Sequence, residues 1–435
     1  MKPLFVISCP IDTYSGYGAR SRDLIKAIIE TNKYEVKIIP QRWGSTPWNF
    51  IEDHKEWRFL KDYLQTTPNL PKQPDVWMQI TIPNEFQPIG KYNIGVTAGV
   101  ETTLVHQSWI EGCNKMNLVI TSSEFAKKTF QNTKYEAKNQ QGLSQGFLEL
   151  KTPIEVIFEG ANTEIYKYLN PEELSGAFNK LDEIKENFCY LFVGHWIQGD
   201  FGEDRKNVGL LVKAFYETFK NKKNKPALIL KTSGAGSSYM DRDSILNKIN
   251  SIRKSVNSTN LPNIYLLHGD FSDQEINELY NHSKVKAMVS LTKGEGFGRP
   301  LLEFSLSKKP IMVSGWSGHM DFLKPEFNLI INGGLKNVDP SAVVPNMILA
   351  ESQWFYPDPS STGNGFKDMH KNYKKYLELA KRQAHYSKTN FSWEKMDELL
   401  SSHLDKNIPK FAKQVTLNLP KLNTSNKLEL PKLKK

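Results

Sequence analysis

The stretch GEGFGRPLLEFSLSKKP, residues 294–310, decides how this chain is read. It sets Glu295 and Glu303 eight positions apart, around Gly296, Phe297, Gly298, Arg299 and Pro300. A buried helix has no use for a carboxylate inside PLLEFSL, and a surface loop has no use for Leu301, Leu302 and Phe304. The pattern predicts a glycine loop opening into a helix, with something polar meeting it at the helix start. Pro300 fits the first turn, where its missing N–H has no partner to lose. Gly296 and Gly298 let the backbone approach a ligand closely. Unpaired amides and a partial positive charge at a helix N-terminus make a diphosphate a natural guest.

Outward from this segment, short Val- and Ile-rich runs alternate with helical patterns, which predicts α/β units with mainly parallel sheets. LFVISCP (4–10), YEVKIIP (34–40), DVWMQITIP (75–83), YNIGVT (92–97) and LVIT (118–121) read as strands of a first sheet, closed by IEVIFEG (154–160). FCYLFVG (188–194), PALILKTS (226–233), IYLLHGD (264–270), KAMVSLT (286–292) and PIMVSG (310–315) read as a second. GFKDMHKNYKKYLELAKRQAHYSK (365–388) reads as one helical stretch, continued by SWEKMDELLSSHL (392–404). The organisation expected is a first α/β domain over 1–167, a polar linker at 168–187 and a second α/β domain over 188–385. A helix at 386–404 is expected to pack back toward the first domain, followed by a basic, extended tail at 405–435. Ligands of such sheets sit beyond the carboxyl ends of the strands, which places the site in the cleft between the halves.

At 435 residues, with 39% hydrophobic and 24% charged residues, the chain has the size and composition of a two-domain soluble protein. Cys9, Cys113 and Cys189 lie far apart, which argues against a disulfide framework or zinc site and suits a reducing, cytoplasmic setting. MKPLFVISCP reads as a first strand and not a signal peptide, and no apolar run of about 18 residues predicts a membrane span. Of the net charge of +10, the last thirty residues carry most: eight lysines stand there against Glu429 alone. That tail fits a nucleic acid or an anionic membrane surface, or is simply a solvated appendage.

SLTKGEGFGRPLLEFSLSKKPIMVSGWSGHMDFL (290–323) resembles the donor-binding segment of retaining glycosyltransferases of the GT-B fold, the large family 4 group. Their mark is a pair of glutamates separated by seven residues, here Glu295 and Glu303. The resemblance extends to FVGHW…RKNVGLLVKAF, VITSSEFAKKTF and IEVIFEGANTEIY, over roughly residues 1–400, and is stronger in the second half. It implies two Rossmann-like α/β domains facing each other across a cleft. It further implies transfer of a sugar from a UDP-, GDP- or ADP-sugar to a hydroxyl acceptor, with retention and with no obligatory metal or other cofactor.

By the same resemblance Glu295 grips sugar hydroxyls, Glu303 holds the ribose and Lys206, in DRKN, holds the departing phosphate; Glu295, Lys206 and Glu101 form the catalytic set. Where relatives carry arginine after the strand glycine this chain has His195 in VGHW, so the second cation falls to Arg205, Arg299 or His195. SGYGAR, with Gly16 and Gly18, resembles the family's glycine-rich loop. TAGVETT (97–103) lacks the histidine of relatives; Glu101 is the nearest polar group and His106 lies a turn further on. Trp43, Trp48 and Phe50 offer an acceptor platform or core packing. The acceptor is a glycan, a glycolipid or, given the tail, a hydroxylated base in DNA. Two other readings stand beside this one. A GT-B-fold sugar-nucleotide epimerase would free nucleotide without consuming an acceptor. A non-catalytic nucleic-acid-binding protein would leave the paired glutamates without a use.

Overall fold

The computed structural model describes residues 2–411, apart from 66, 68, 71, 139, 140, 142, 235 and 237. The tail from 412 to 435, and with it most of the polyanion expectation, lies outside the described residues.

Two six-stranded parallel sheets make up the molecule. The first half contains β1 (Leu4–Cys9), β2 (Glu35–Pro40), β3 (Val76–Ile80), β4 (Tyr92–Val96), β5 (Leu118–Thr121), β6 (Lys134–Lys138), β7 (Ser144–Glu149) and β8 (Ile154–Val156). Its sheet runs β2-β1-β3-β4-β5-β8, while β6 and β7 pair separately as an antiparallel hairpin. The second half contains β9 (Cys189–Val193), β10 (Ala227–Lys231), β11 (Ile264–Leu267), β12 (Val285–Ser290), β13 (Ile311–Ser314) and β14 (Leu329–Ile331), ordered β11-β10-β9-β12-β13-β14. A second hairpin, β15 (Gly333–Asn337) with β16 (Gln353–Pro357), follows it.

Helices cover these sheets: α1 (Gly16–Glu30), α2 (Phe50–Asp53), α3 (Gln107–Cys113) and α4 (Glu124–Asn132) in the first half, then α5 (Val208–Phe219), α6 (Tyr239–Ser255), α7 (Asp273–Asn281) and α8 (Arg299–Ser305) in the second. Three helices follow, α9 (Pro359–Lys371), α10 (Tyr373–Asn390) and α11 (Trp393–Asn407). Coverage on both faces is why the central strands are continuous apolar runs; all six residues of β1 are buried. Helix starts follow their side-chain caps. The hydroxyls of Ser15, Ser123 and Ser272 accept from the backbone amides of Gly18, Ala126 and Glu275, and Glu275 completes a capping box.

The crossover between domains comes earlier than the expected linker. Ile157 is buried in the first core and Ala161 in the second. Residues 168–187 are polar in composition, but Phe178 and Leu181 bury against the second sheet and anchor the segment there. The chain returns beside its outward path: Ala161 N donates to Phe391 O at 2.9 Å and Trp393 N to Ala161 O at 3.0 Å. Helix α10 runs through residue 385, where the sequence placed a domain boundary, and the helical stretch 365–388 breaks at Asn372 between α9 and α10. Helix α11 then lays Met396, Leu400 and Leu404 into the first domain's core. It continues past 404, and Ile408 and Phe411 still pack on that core.

Candidate active site

Each sheet reverses its strand order at one point, between β1 and β3 in the first and between β9 and β12 in the second. Loops leaving the carboxyl ends beside such points diverge and open a crevice. The loops after β1 and β4 and those after β9 and β12 meet in a cleft of about 350 Å³. Gly16, Tyr17, Arg20, Trp43, Glu101 and Glu159 line it from the first domain, and Arg205, Glu295, Gly296, Phe297, Gly298 and Arg299 from the second.

Glu295 is the centre of the second-domain wall. It is 5% exposed; Lys206 Nζ donates to its Oε1 at 2.6 Å and Arg205 Nη1 to its Oε2 at 3.3 Å. Its backbone amide donates to Ser317 Oγ at 2.9 Å, which fixes the loop after β12. Burial alone would raise this carboxyl, but Lys206 and Arg205 outweigh it and hold it at about 2. The two cations stand just before α5, where Asp204 Oδ2 accepts from Val208 N at 3.1 Å and fixes the helix start. Arg205 also reaches across the cleft, 3.4 Å from Glu101 Oε1.

Glu303 stands apart from the cleft lining. It is 7% exposed, and Arg299 Nε donates to its Oε1 at 2.9 Å. Arg299 Nη1 in turn donates to Asp23 Oδ2, on α1 of the other domain, at 2.7 Å. The arginine is thus a tie between domains. Gly298 caps α8 at φ +99°, a left-handed conformation that favours glycine. Phe297 borders the cleft, yet its ring is buried with Phe322 and Phe391.

On the first-domain wall, Gly16 is exposed at the start of α1, and a methyl group there would touch nothing within 4 Å. Gly18 is packing: a Cβ would sit 2.4 Å from Thr13 O. Tyr17 is held through its hydroxyl, which lies 3.0 Å from Thr97 Oγ1 and accepts from Ala98 N at 3.1 Å. Trp43 stacks on the Tyr17 ring, centroids 4.0 Å apart. Trp48 lies under Arg42, and Phe50 stacks on His54 beneath Arg22, so neither faces the cleft.

The structure therefore brings Gly16, Glu101, Arg205, Lys206, Glu295 and the 296–299 loop together. His195 is not in the cleft lining: its Nδ1 lies 3.1 Å from Ser233 Oγ, and partial desolvation of the ring, with Lys206 and Arg205 nearby, lowers its pKa. His106 caps α3, accepting from Ser108 N at 3.2 Å. Sequence reasoning missed Arg20, Asp23 and Glu159. Glu159 follows the last strand of the first sheet, on the edge where ligands gather, and that position was the available signal. Arg20 is buried and donates to the carbonyls of Ile157 and Phe158. Among the described residues no group of three or more His, Cys, Asp or Glu side chains is placed to hold a metal ion, and no helix is long and apolar enough to cross a membrane.

No protein-family model and no curated protein matches the sequence. Solved structures do resemble the fold. HepE from Anabaena, crystallised with UDP and glucose, superposes at a TM-score of 0.60 with 13% identity over 93% of this chain and 100% of that one. A glycosyltransferase from Rickettsia africae gives 0.59 with 14% identity, covering 94% of this chain and 98% of its own. The sucrose-phosphate synthase of Thermosynechococcus elongatus gives 0.58 with 12% identity, covering 93% and 99%. Two Rossmann-like sheets facing across a cleft, with these likenesses, define the class: the chain has the GT-B fold.

Proposed function

We propose that the protein is a retaining glycosyltransferase of the family 4 type, using a nucleotide-diphosphate sugar as donor. The observation that carries this reading is the convergence of Lys206, Arg205 and Glu295 at the switch-point cleft of a GT-B fold. HepE, of the same fold, was crystallised with UDP-glucose, which supports a nucleotide-sugar ligand. In the reaction the bond from the anomeric carbon to the β-phosphate oxygen breaks and a bond from that carbon to the acceptor oxygen forms. The acceptor's proton passes to the departing phosphate oxygen on the same face, so no separate general base is required. Lys206 and Arg205 neutralise the charge that grows on the diphosphate, and Glu295 accepts from donor-sugar hydroxyls. Glu101 holds Arg205 in place from the opposite domain.

The test is a thermal-shift screen with UDP, GDP and ADP, followed by donor hydrolysis with the matching nucleotide sugars. Lys206→Ala should lower turnover on the order of a hundredfold. Near-normal turnover in that variant would show that the phosphates bind elsewhere.

A further inference from the structure

Arg205 and Lys206 sit in a turn, residues 203–206, and side chains carried on loops are held less precisely than those on helices or strands. Something behind the cleft has to fix that turn. Lys293 is placed to do so, two residues before Glu295 and 0% exposed. Its backbone joins two neighbours: Lys293 N donates to Arg205 O at 2.8 Å, and Phe355 N, on β16, donates to Lys293 O at 2.9 Å. Its ammonium donates to Glu203 Oε2 at 2.7 Å. Trp354 and Tyr356 are two apart on β16 and so share one face; their ring centroids lie 4.9 Å and 3.9 Å from Lys293 Nζ. The Tyr356 hydroxyl completes the cage by donating to the same Glu203 Oε2 at 2.5 Å. None of these four side chains lines the cleft.

The β15–β16 hairpin reaches the other wall as well. Thr103 N donates to Gln353 O and Gln353 N to Thr103 Oγ1, both at 2.9 Å. Each point held in this way is two residues from a charge of the cleft: Glu203 from Arg205, Lys293 from Glu295, Thr103 from Glu101. Burying a lysine is costly; desolvation lowers its pKa, while Glu203, Asp204 and Asp339 act against that. A buried ion pair adds little stability over apolar side chains of similar volume, and its best-attested use is to fix one arrangement among several. We propose that Lys293, caged by Glu203, Trp354 and Tyr356, is a positioning residue that sets Arg205 and Lys206 against the donor diphosphate, with the β15–β16 hairpin as its brace. The inference rests on the transferase reading above and deepens it.

The test uses the full chain and the nucleotide sugar it hydrolyses, chosen from UDP-glucose, GDP-mannose and ADP-glucose, and sets donor hydrolysis beside urea unfolding of each variant. Lys293→Met combined with Glu203→Gln removes both charges at similar volume, so the urea midpoint is expected at the wild-type value. Its kcat should fall on the order of ten- to a hundredfold while the donor KM stays within about twofold, because displaced cations lose their hold on charge that grows only as the bond breaks. Tyr356→Phe keeps the ring and removes one hydrogen bond; it should lower kcat about threefold at an unchanged midpoint. Leu335→Ala, on the exposed side of the same hairpin, should match wild type in both measurements. Wild-type kcat in the double variant and in Tyr356→Phe overturns the inference while leaving the transferase reading standing. A fall in kcat that only follows a lower urea midpoint in the double variant, with Tyr356→Phe at wild-type kcat, does the same. Failure of the wild-type protein to bind or hydrolyse any of the three donors overturns the transferase reading and this inference together.

Discussion

Glu295→Gln tests the electrostatics of the site without touching its shape. The carboxyl is nearly out of water and accepts from Lys206 at 2.6 Å and from Arg205 at 3.3 Å. Lys206 and Arg205 hold it at about 2, well below the ordinary carboxylate range, which corresponds to about 3 kcal/mol of folded-state stability at neutral pH. Burial pushes the partner Lys206 the other way, lowering its pKa, so the cost of burying the lysine offsets part of this gain; breaking a buried ion pair by removing one partner costs about 3–5 kcal/mol in general. The sign follows from the direction of the shift. A depressed carboxyl contributes its stability above its unfolded value and loses it as pH falls through about 2. Urea unfolding of wild type and variant should therefore differ by roughly 3 kcal/mol from pH 8 down to about pH 5.5, and the gap should shrink to about half near pH 3. A gap under about 1 kcal/mol at pH 7, or one that does not narrow in acid, would refute the claim that the two cations hold Glu295 ionised.

Leu400→Ala should destabilise the first domain by about 2–5 kcal/mol, seen as a lower urea midpoint, because Leu400 is 1% exposed in that domain's core. If the variant unfolds with the wild-type midpoint, α11 is not part of that core. Gly298→Ala puts a side chain at φ +99° and should cost about 1–2 kcal/mol; equal thermal stability of the two proteins would mean the loop relaxes to a conformation unlike the one described.

Much of the fold was legible because parallel strands covered on both faces must be apolar runs. LFVISC and CYLFV could belong to little else. The hairpins were not legible. Residues Gly333–Asn337 of β15 are all exposed and carry two glycines, so neither alternation nor hydrophobicity marks them. The crossover was misplaced because composition cannot tell a linker from a polar segment pinned by two apolar residues, Phe178 and Leu181. In the site, DRKN and EGFG stood out by their resemblance to a known family's motifs, and the structure brings Lys206, Arg205 and Glu295 together. The resemblance made Glu303 the ribose-binding group; that Arg299, four residues earlier, bonds both to it and to Asp23, 276 positions away, was beyond the reach of local sequence.

The glycines of the decisive stretch also answer to more than a ligand. A methyl group at 294 would lie 2.1 Å from Glu101 O, and one at 296 would lie 2.8 Å from Ala98 O, both on the opposite domain. A Cβ at 318 would come within 2.1 Å of Gly296 O. Side chains at 294 and 296 would hold the halves apart, lengthening the 3.4 Å contact of Arg205 with Glu101 and the 2.7 Å bond of Arg299 to Asp23. Small residues therefore set how closely the domains approach, and that approach brings the Trp43–Tyr17 wall within reach of the Glu295 wall. A loop read as room for a ligand is equally the surface on which the first domain closes.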